Sequence, residues 1–211
     1  MKPHQDLDAA IGPGYAAAHQ GAALLDRSKR GKLVVNGADR RSYLHAMFTN
    51  DIEALVAGTG CYSAYLTPQG RMIADMRVLD LGDVLLLDLD AEVTGEVLQK
   101  LDQFVFSEDV QFGDVTATFE LLSVVGPSAA GLVSAVLDDQ ANADQALTAR
   151  SLAEWPEFHN QRAAFGGEMA LVVASRELGP PGFDVFVPSG HGRKLADALR
   201  AVGAADLTDE A

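Results

Sequence analysis

Cysteine is nearly missing from this chain of 211 residues: Cys61 stands alone. One thiol excludes an internal disulfide, and with it any zinc or iron–sulfur centre built from several cysteines of one chain; a reducing cytoplasm is the expected setting. Basic residues are scarce too. There are 16 Lys and Arg against 30 Asp and Glu, a formal net charge of -14. That balance argues against nonspecific binding to DNA, RNA or anionic membranes, because phosphate attraction needs clustered cations. Long apolar runs are also lacking. Val84-Leu85-Leu86-Leu87 is typical of the longest, far below the roughly 20 residues of a membrane-spanning helix. The first residues, Met1 to Asp6, lack the apolar core of a signal peptide. His4, His19, His45, His159 and His191 show no metal-ligand spacing, so no metal is assigned.

What is present is ordinary for a globular protein: 48% hydrophobic and 22% charged residues, enough for one large domain or two small ones. The pattern predicts a helix over 15–23 behind a loose end, a strand over 32–35 closed by Asn36-Gly37, and a helix over 38–48. Thr49-Asn50-Asp51 is expected to cap a short helix over 52–56. Strands over 61–66, around Asp75 and over 84–89 read as an antiparallel meander. Asp90 opens the clearest helix, with Val93, Val97, Leu98, Leu101, Phe104 and Val105 on its inward stripe. Strands follow over 110–112 and 116–125, then a helix from the Gly126-Pro127-Ser128 break through Val136. Residues 138–161 read as a loop or weak helix, with Asp138-Asp139 as solvated surface. Strands over 169–174 and 183–187 flank the turn Gly179-Pro180-Pro181-Gly182. A last helix capped by Ser189 turns Leu195, Leu199 and Val202 inward, and 204–211 end without a closing element, Asp209-Glu210 solvated. Strands and helices mix without a βαβ rhythm. The class is therefore α+β, antiparallel sheets flanked by helices.

The centre of interest is the hairpin Thr67-Pro68-Gln69-Gly70-Arg71. Its second strand sets Asp75 between Ile73 and Arg77 on one pleated face, while Met72, Ala74, Met76 and Val78 take the other. A carboxylate on such a face is either an edge acid in solvent, an ion-pair partner of Arg71 or Arg77, or a partly desolvated group facing a ligand. Tyr62 and Tyr65, three apart on the preceding strand, point to opposite faces, so at most one can share the side of Asp75. An aromatic beside an acid suits a flat heterocycle. Cys61, with no histidine nearby, reads as an inert side chain.

Leu25-Asp26-Arg27-Ser28, Arg30-Gly31-Lys32-Leu33, Asn36-Gly37, Asp39-Arg40, Tyr43-Leu44-His45 and Thr49-Asn50-Asp51 form an ordered series. It continues through Tyr62, Leu66 to Arg71, Asp75, Leu98 to Val110 and Val125-Gly126-Pro127. Together the series resembles the folate-binding aminomethyltransferase family, which includes the glycine-cleavage T-protein and the YgfZ-type proteins linked to iron–sulfur cluster maturation. The Asp-Arg-Ser opening and the Thr-Pro-Gln-Gly-Arg hairpin look more like the YgfZ branch. The resemblance implies a tetrahydrofolate ligand, with Asp75 as the catalytic and folate-holding acid and with Tyr62 and Asp90 as further ligand contacts. Whether Asp88 or Asp90 lies nearer the ligand stays open, since the strand-to-helix junction aligns two ways. The implied roles are iron–sulfur cluster assembly or repair, or aminomethyl transfer from a lipoyl carrier protein; a non-catalytic interaction protein is the third expectation.

The departures are specific. Of the T-protein's aspartate pair only the second member, Asp75, is present, after Ala74. Pro180 stands where the T-protein carries its pterin-holding Glu, and the YgfZ Lys-Gly-Cys-Tyr-x-Gly-Gln-Glu run has no counterpart. The family's C-terminal barrel-like domain is absent from these residues. The expected organisation is an N-terminal helix and loose end over 1–22, a meander with helices carrying Asp75 over 23–115, and a second α+β subdomain over 116–211.

Overall fold

The computed structural model describes residues 13–137 and 147–207. The expectations for 1–12, for Asp138-Asp139 and for Asp209-Glu210 lie outside the described residues. Two compact units emerge. One contains residues 28–119 with 158–161, and the other contains 1–27, 120–157 and 162–211. The sequence reading drew contiguous boundaries at 22/23 and 115/116; the division seen here is discontinuous, because the early strand Ala23–Asp26 hydrogen-bonds to Phe119–Val125.

The unit around Asp75 is built on a five-stranded sheet in the order β3-β4-β5-β2-β6. Its strands are β2 Gly31–Asn36, β3 Gly60–Leu66, β4 Met72–Asp80, β5 Leu85–Leu89 and β6 Gln111–Asp114. All of its pairs are antiparallel, so the expected meander is present as β3-β4-β5. One face is a hydrophobic core. Leu33, Val35, Tyr65, Ala74, Met76, Val78, Leu85, Leu87 and Leu89 pack there with Tyr43 and Leu44 of helix α2 (Arg40–Met47) and with Val97 and Leu101 of helix α3 (Ala91–Gln103). The period of two puts alternate residues of each strand on this side, and the period of 3.6 turns the α3 stripe toward it. The Tyr43 hydroxyl, deep in that core, donates to the Leu101 carbonyl at 2.5 Å, so its polar end is satisfied.

The other unit carries a six-stranded sheet, β11-β1-β7-β10-β9-β8, formed by β1 Ala23–Asp26, β7 Phe119–Val125, β8 Asn160–Phe165, β9 Glu168–Ser175, β10 Gly182–Pro188 and β11 Ala205–Asp206. Helices α1 (Pro13–Gln20), α4 (Ala129–Val136), α5 (Ala149–Ala153) and α6 (Gly192–Ala201) belong to the same unit. Leu122, Val124, Val172, Ala174, Phe183, Val185 and Val187 share a core with Val133, Leu152, Leu195 and Leu199.

Several local expectations change. Residues 52–54 form a bend and turn instead of the expected helix, held by the Asp51 carboxylate accepting from Ala54 N–H at 3.1 Å, while Ile52 and Leu55 are buried in the core. Residues 116–118 are a turn before β7, and the stretch 138–161, expected as a loop or weak helix, holds the short helix α5 and the first two residues of β8. The last helix starts at Gly192 after His191 rather than after Ser189. Gly192 N–H there donates to the Glu120 carboxylate, which supplies the acceptor a cap would have offered. Phe104 and Val202 are 46% and 41% exposed instead of inward, because each sits just past its helix end. The chain also closes with an element: β11 pairs parallel to β1, Ala23 opposite Ala205.

Gly37 closes β2 at φ 102°. A Cβ there would lie 1.9 Å from the Asp109 carbonyl oxygen, and Asp39 N–H bonds that same oxygen at 3.1 Å. Gly37→Ala therefore combines left-handed strain with a backbone clash. It is expected to lower stability by about 2 kcal/mol or more, measured by urea unfolding followed by circular dichroism.

Candidate functional site

The hairpin that places Asp75 is made by its own turn chemistry. Thr67 N–H bonds the Arg71 carbonyl at 2.8 Å and Gly70 N–H bonds the Thr67 carbonyl at 2.8 Å, while Gly70 takes φ 79°. That conformation is open to glycine and strained for a residue with a Cβ. A register shift between Tyr65 and Leu66 lets the strands meet this loop without losing alternation further on.

From that register two side chains meet. Ala64 stands opposite Asp75, and Tyr62 stands opposite Arg77, so Tyr62 and Asp75 are diagonal neighbours on the face away from the core. The Tyr62 hydroxyl donates a short hydrogen bond to Asp75 Oδ2. Tyr65 points into the core, its ring 5.7 Å from that of Phe48. Tyr62 is thus the tyrosine on the side of the acid. Asp75 is exposed rather than desolvated, and Tyr62 remains 53% exposed. The pair offers an aromatic surface and an oriented carboxylate on one patch. A carboxylate of this kind accepts hydrogen bonds from N–H groups or a proton, and the ring supports a flat heterocycle.

Of the two ion-pair partners expected for Asp75, Arg71 and Arg77, the second is committed elsewhere. Its Nε donates to Asp88 Oδ2 at 2.7 Å, and Arg30 Nε donates to Asp88 Oδ1 at 2.7 Å. Asp88 is fully buried and Arg77 is 2% exposed. Arg77 lies opposite Asp88, and Asp88 lies opposite Lys32. A row of Tyr62, Arg77, Asp88 and Lys32 therefore crosses four strands on one face. Lys32, also fully buried, donates from Nζ to the Ser28 and Arg30 carbonyls, both at 2.9 Å. Sequence reasoning passed over this network. Its signal was the same that marked Asp75, an acid at an alternating position of an apolar strand, here Leu87-Asp88-Leu89.

Asp90 has a local task. Its carboxylate accepts from Glu92 N–H at 2.8 Å and caps α3, and it is exposed. Of the two acids left open at this junction, Asp88 is the one sharing the face of Tyr62, but both its oxygens are held by arginines. Cys61 lies on the core side of β3. Burial first, then the charge of Asp51, push its thiol up to about 11. In the other unit, Pro180 and Pro181 form the turn into β10, where the Pro181 carbonyl accepts from Gly126 N–H at 2.8 Å. Proline at 180 has no charged side chain for a heterocycle. A cleft of about 120 Å³ in that unit, edged by Pro127, Trp155, Arg176 and Phe183, holds none of the sequence-predicted residues; ligand pockets usually span roughly 300–1,000 Å³. Among the described residues, no helix is long and apolar enough to cross a membrane.

An α+β chain with an exposed Tyr–Asp pair at a Pro-Gln-Gly hairpin has clear relatives. The family model described as the GCVT N-terminal domain matches residues 3–209, and the chain belongs to that family. The aminomethyltransferase of Desulforamulus reducens is 28% identical over 201 residues, covering 92% of this chain and 51% of that protein. The aminomethyltransferase of Bacillus subtilis is 26% identical over 194 residues, covering 90% and 51%. The chain thus spans about half the length of these curated relatives. Among solved structures, the glycine cleavage system aminomethyltransferase T of Bartonella henselae superposes with a TM-score of 0.70 at 20% identity, over 87% of this chain and 46% of that one. A chain of the heterotetrameric sarcosine oxidase of Corynebacterium sp. U-96 gives 0.61 at 20% identity, over 99% and 98%. These two likenesses speak for the fold.

Two outcomes follow from the local geometry. Asp90→Ala removes the cap of α3 and is expected to lower stability by about 1 kcal/mol, read from thermal unfolding. For Cys61 the raised value favours the neutral thiol in the fold. Its contribution is complete below pH 9 and is lost as the pH climbs toward about 11. A thiol reagent at pH 8 should therefore label the native protein slowly and the urea-unfolded chain fast, as followed by absorbance.

Proposed function

We propose that this chain is a tetrahydrofolate-binding protein of the YgfZ type, assisting iron–sulfur cluster assembly or repair. The observation that carries the reading is the Tyr62–Asp75 pair on the outward face of the hairpin. The fit to a reduced pterin is chemical. The Asp75 carboxylate is an acceptor for ligand N–H groups, and the exposed Tyr62 ring is a surface for a flat ring system, held by the same hydrogen bond that orients the acid. When bound, the folate supplies a nitrogen that accepts or carries one-carbon units. The chain's part is to bind it, to orient it and to keep an acceptor at Asp75 Oδ1 and Oδ2. The hairpin Thr67 to Arg71 is the sequence feature that favours the YgfZ branch.

Aminomethyl transfer is the second reading, favoured by the names of the relatives. Against it stand Ala74 in place of a first acid and Pro180 in place of a pterin-holding Glu, since both substitutions remove carboxylates that a transferase of this kind uses. A non-catalytic interaction protein is a third reading, favoured by the chain's spanning about half the length of its curated relatives.

Calorimetry with folinic acid separates these. The expected result is binding in the micromolar range, weakened at least tenfold by Asp75→Asn, because the amide loses the charge-assisted hydrogen bond. Absence of binding at millimolar ligand sinks the two folate readings and leaves the third. If folinic acid binds, methylene-tetrahydrofolate formation with the aminomethylated lipoyl carrier protein decides the rest: no turnover is expected, and measurable turnover overturns the non-enzymatic reading.

A further inference from the structure

Asp75 and Arg77 lie two residues apart on the same face of β4, a separation of roughly 6.6 Å along a strand. A guanidinium on its flexible stem spans such a gap easily. With no competitor, Arg77 would pair with Asp75, and the carboxylate would be held by a cation instead of being open to a ligand N–H. The structure shows the competitor. Asp88 stands directly opposite Arg77 across the β4–β5 ladder. It takes Arg77 Nε at 2.7 Å and a terminal guanidinium nitrogen on the same oxygen, while its other oxygen takes Arg30 Nε at 2.7 Å. Arg77 is 2% exposed and Asp88 fully buried, so their pair is shielded from salt and water, and opening it would strand a buried charge. Asp75 is exposed, and its hydrogen bond comes from the Tyr62 hydroxyl. A surface carboxylate cannot draw the guanidinium away from a buried, two-point partner.

We infer that Asp88 is a positioning residue: by holding Arg77 turned along the β4–β5 row it keeps the Asp75 carboxylate paired with Tyr62 and available to the ligand. Its action is on the choice of partner, not on the ligand. Arg30 assists by holding the second oxygen of Asp88, which fixes the plane of the carboxylate. The inference rests on the folate reading only where ligand binding is measured; the choice of partner by Arg77 is a property of the chain alone.

The test uses Asp88→Asn, Arg77→Met/Asp88→Leu and Asp75→Asn in the full chain. Without ligand, Asp75→Asn is made in the wild type and in Asp88→Asn, and both pairs are unfolded with urea. Asp75→Asn should change the folding equilibrium constant less than twofold in the wild type. In Asp88→Asn it should lower it about fivefold, because Arg77 released from Asp88 pairs with Asp75. Equal effects in the two backgrounds overturn the inference, whatever folinic acid does. With ligand, Asp88→Asn is expected to weaken folinic acid binding about tenfold, and Arg77→Met/Asp88→Leu, which has no cation to capture Asp75, to bind within twofold of the wild type. A merely structural role would not be rescued by removing Arg77. If Asp88→Asn does not fold, the apolar double variant is used instead: it replaces the two buried members of the network and leaves Arg30, whose side chain is 22% exposed, to water; binding within twofold of the wild type supports the inference, and a tenfold loss in a folded double variant overturns it. If the wild type binds no folinic acid, the folate reading fails and the unfolding cycle still decides the partner of Arg77.

Discussion

The arrangement of the Asp75 unit depends on one buried ion network, Asp88 held between Arg77 and Arg30 with Lys32 beside it in the same row. Charges taken out of water are stable only when geometry supplies every partner, and Asp88 has an arginine on each oxygen. Such a row also specifies strand register. A slip of one residue in β4 or β5 would turn Arg77 or Asp88 into the face packed by Met76, Val78, Leu87 and Leu89. The apolar face alone penalises that slip; the charged row penalises it from the other side as well. Once β4 and β5 are aligned in this way, the β3–β4 ladder puts Tyr62 across from Arg77 and Ala64 across from Asp75. The Tyr–Asp pair is a consequence of that alignment.

The two acids of this face therefore divide the work by environment. Asp88 is buried and doubly paired, a carboxylate whose acceptor capacity is consumed inside the protein. Asp75 is exposed and takes a single neutral donor, leaving acceptor capacity for something outside. The sealed acid and the exposed one are thus separated by 13 residues of sequence and one strand of sheet. Membership of the GCVT N-terminal domain family gives the pair a chemical context, while the chain's own departures, Ala74 and Pro180, narrow what it does there.

Much of the fold was legible in the sequence because it is local. Alternation marked β2, β3, β4 and β5, the helical period marked α3, Asp90 marked its start, and Pro68 with Gly70 marked the turn. What escaped was non-local or over-read. The strand β8 begins at the end of an Ala-rich polar stretch whose weak periodicity left loop and helix open for what is α5, and β1 is too short to announce itself. Residues 52–54 carried a capping signal without the length to use it, and Phe104 continued an apolar stripe one residue beyond the helix that justified it.

By itself the sequence determined the strand faces, the hairpin and the presence of odd acids at Asp75 and Asp88, since each follows from a backbone period or a turn residue acting within a few positions. Only the tertiary structure decided which of those acids is sealed in and which is offered outward. That choice depends on where Arg30 and Arg77 arrive: Arg77 comes from the neighbouring strand β4, while Arg30, just before β2 and 58 residues from Asp88, is brought in by a β2–β5 pairing that no local period encodes.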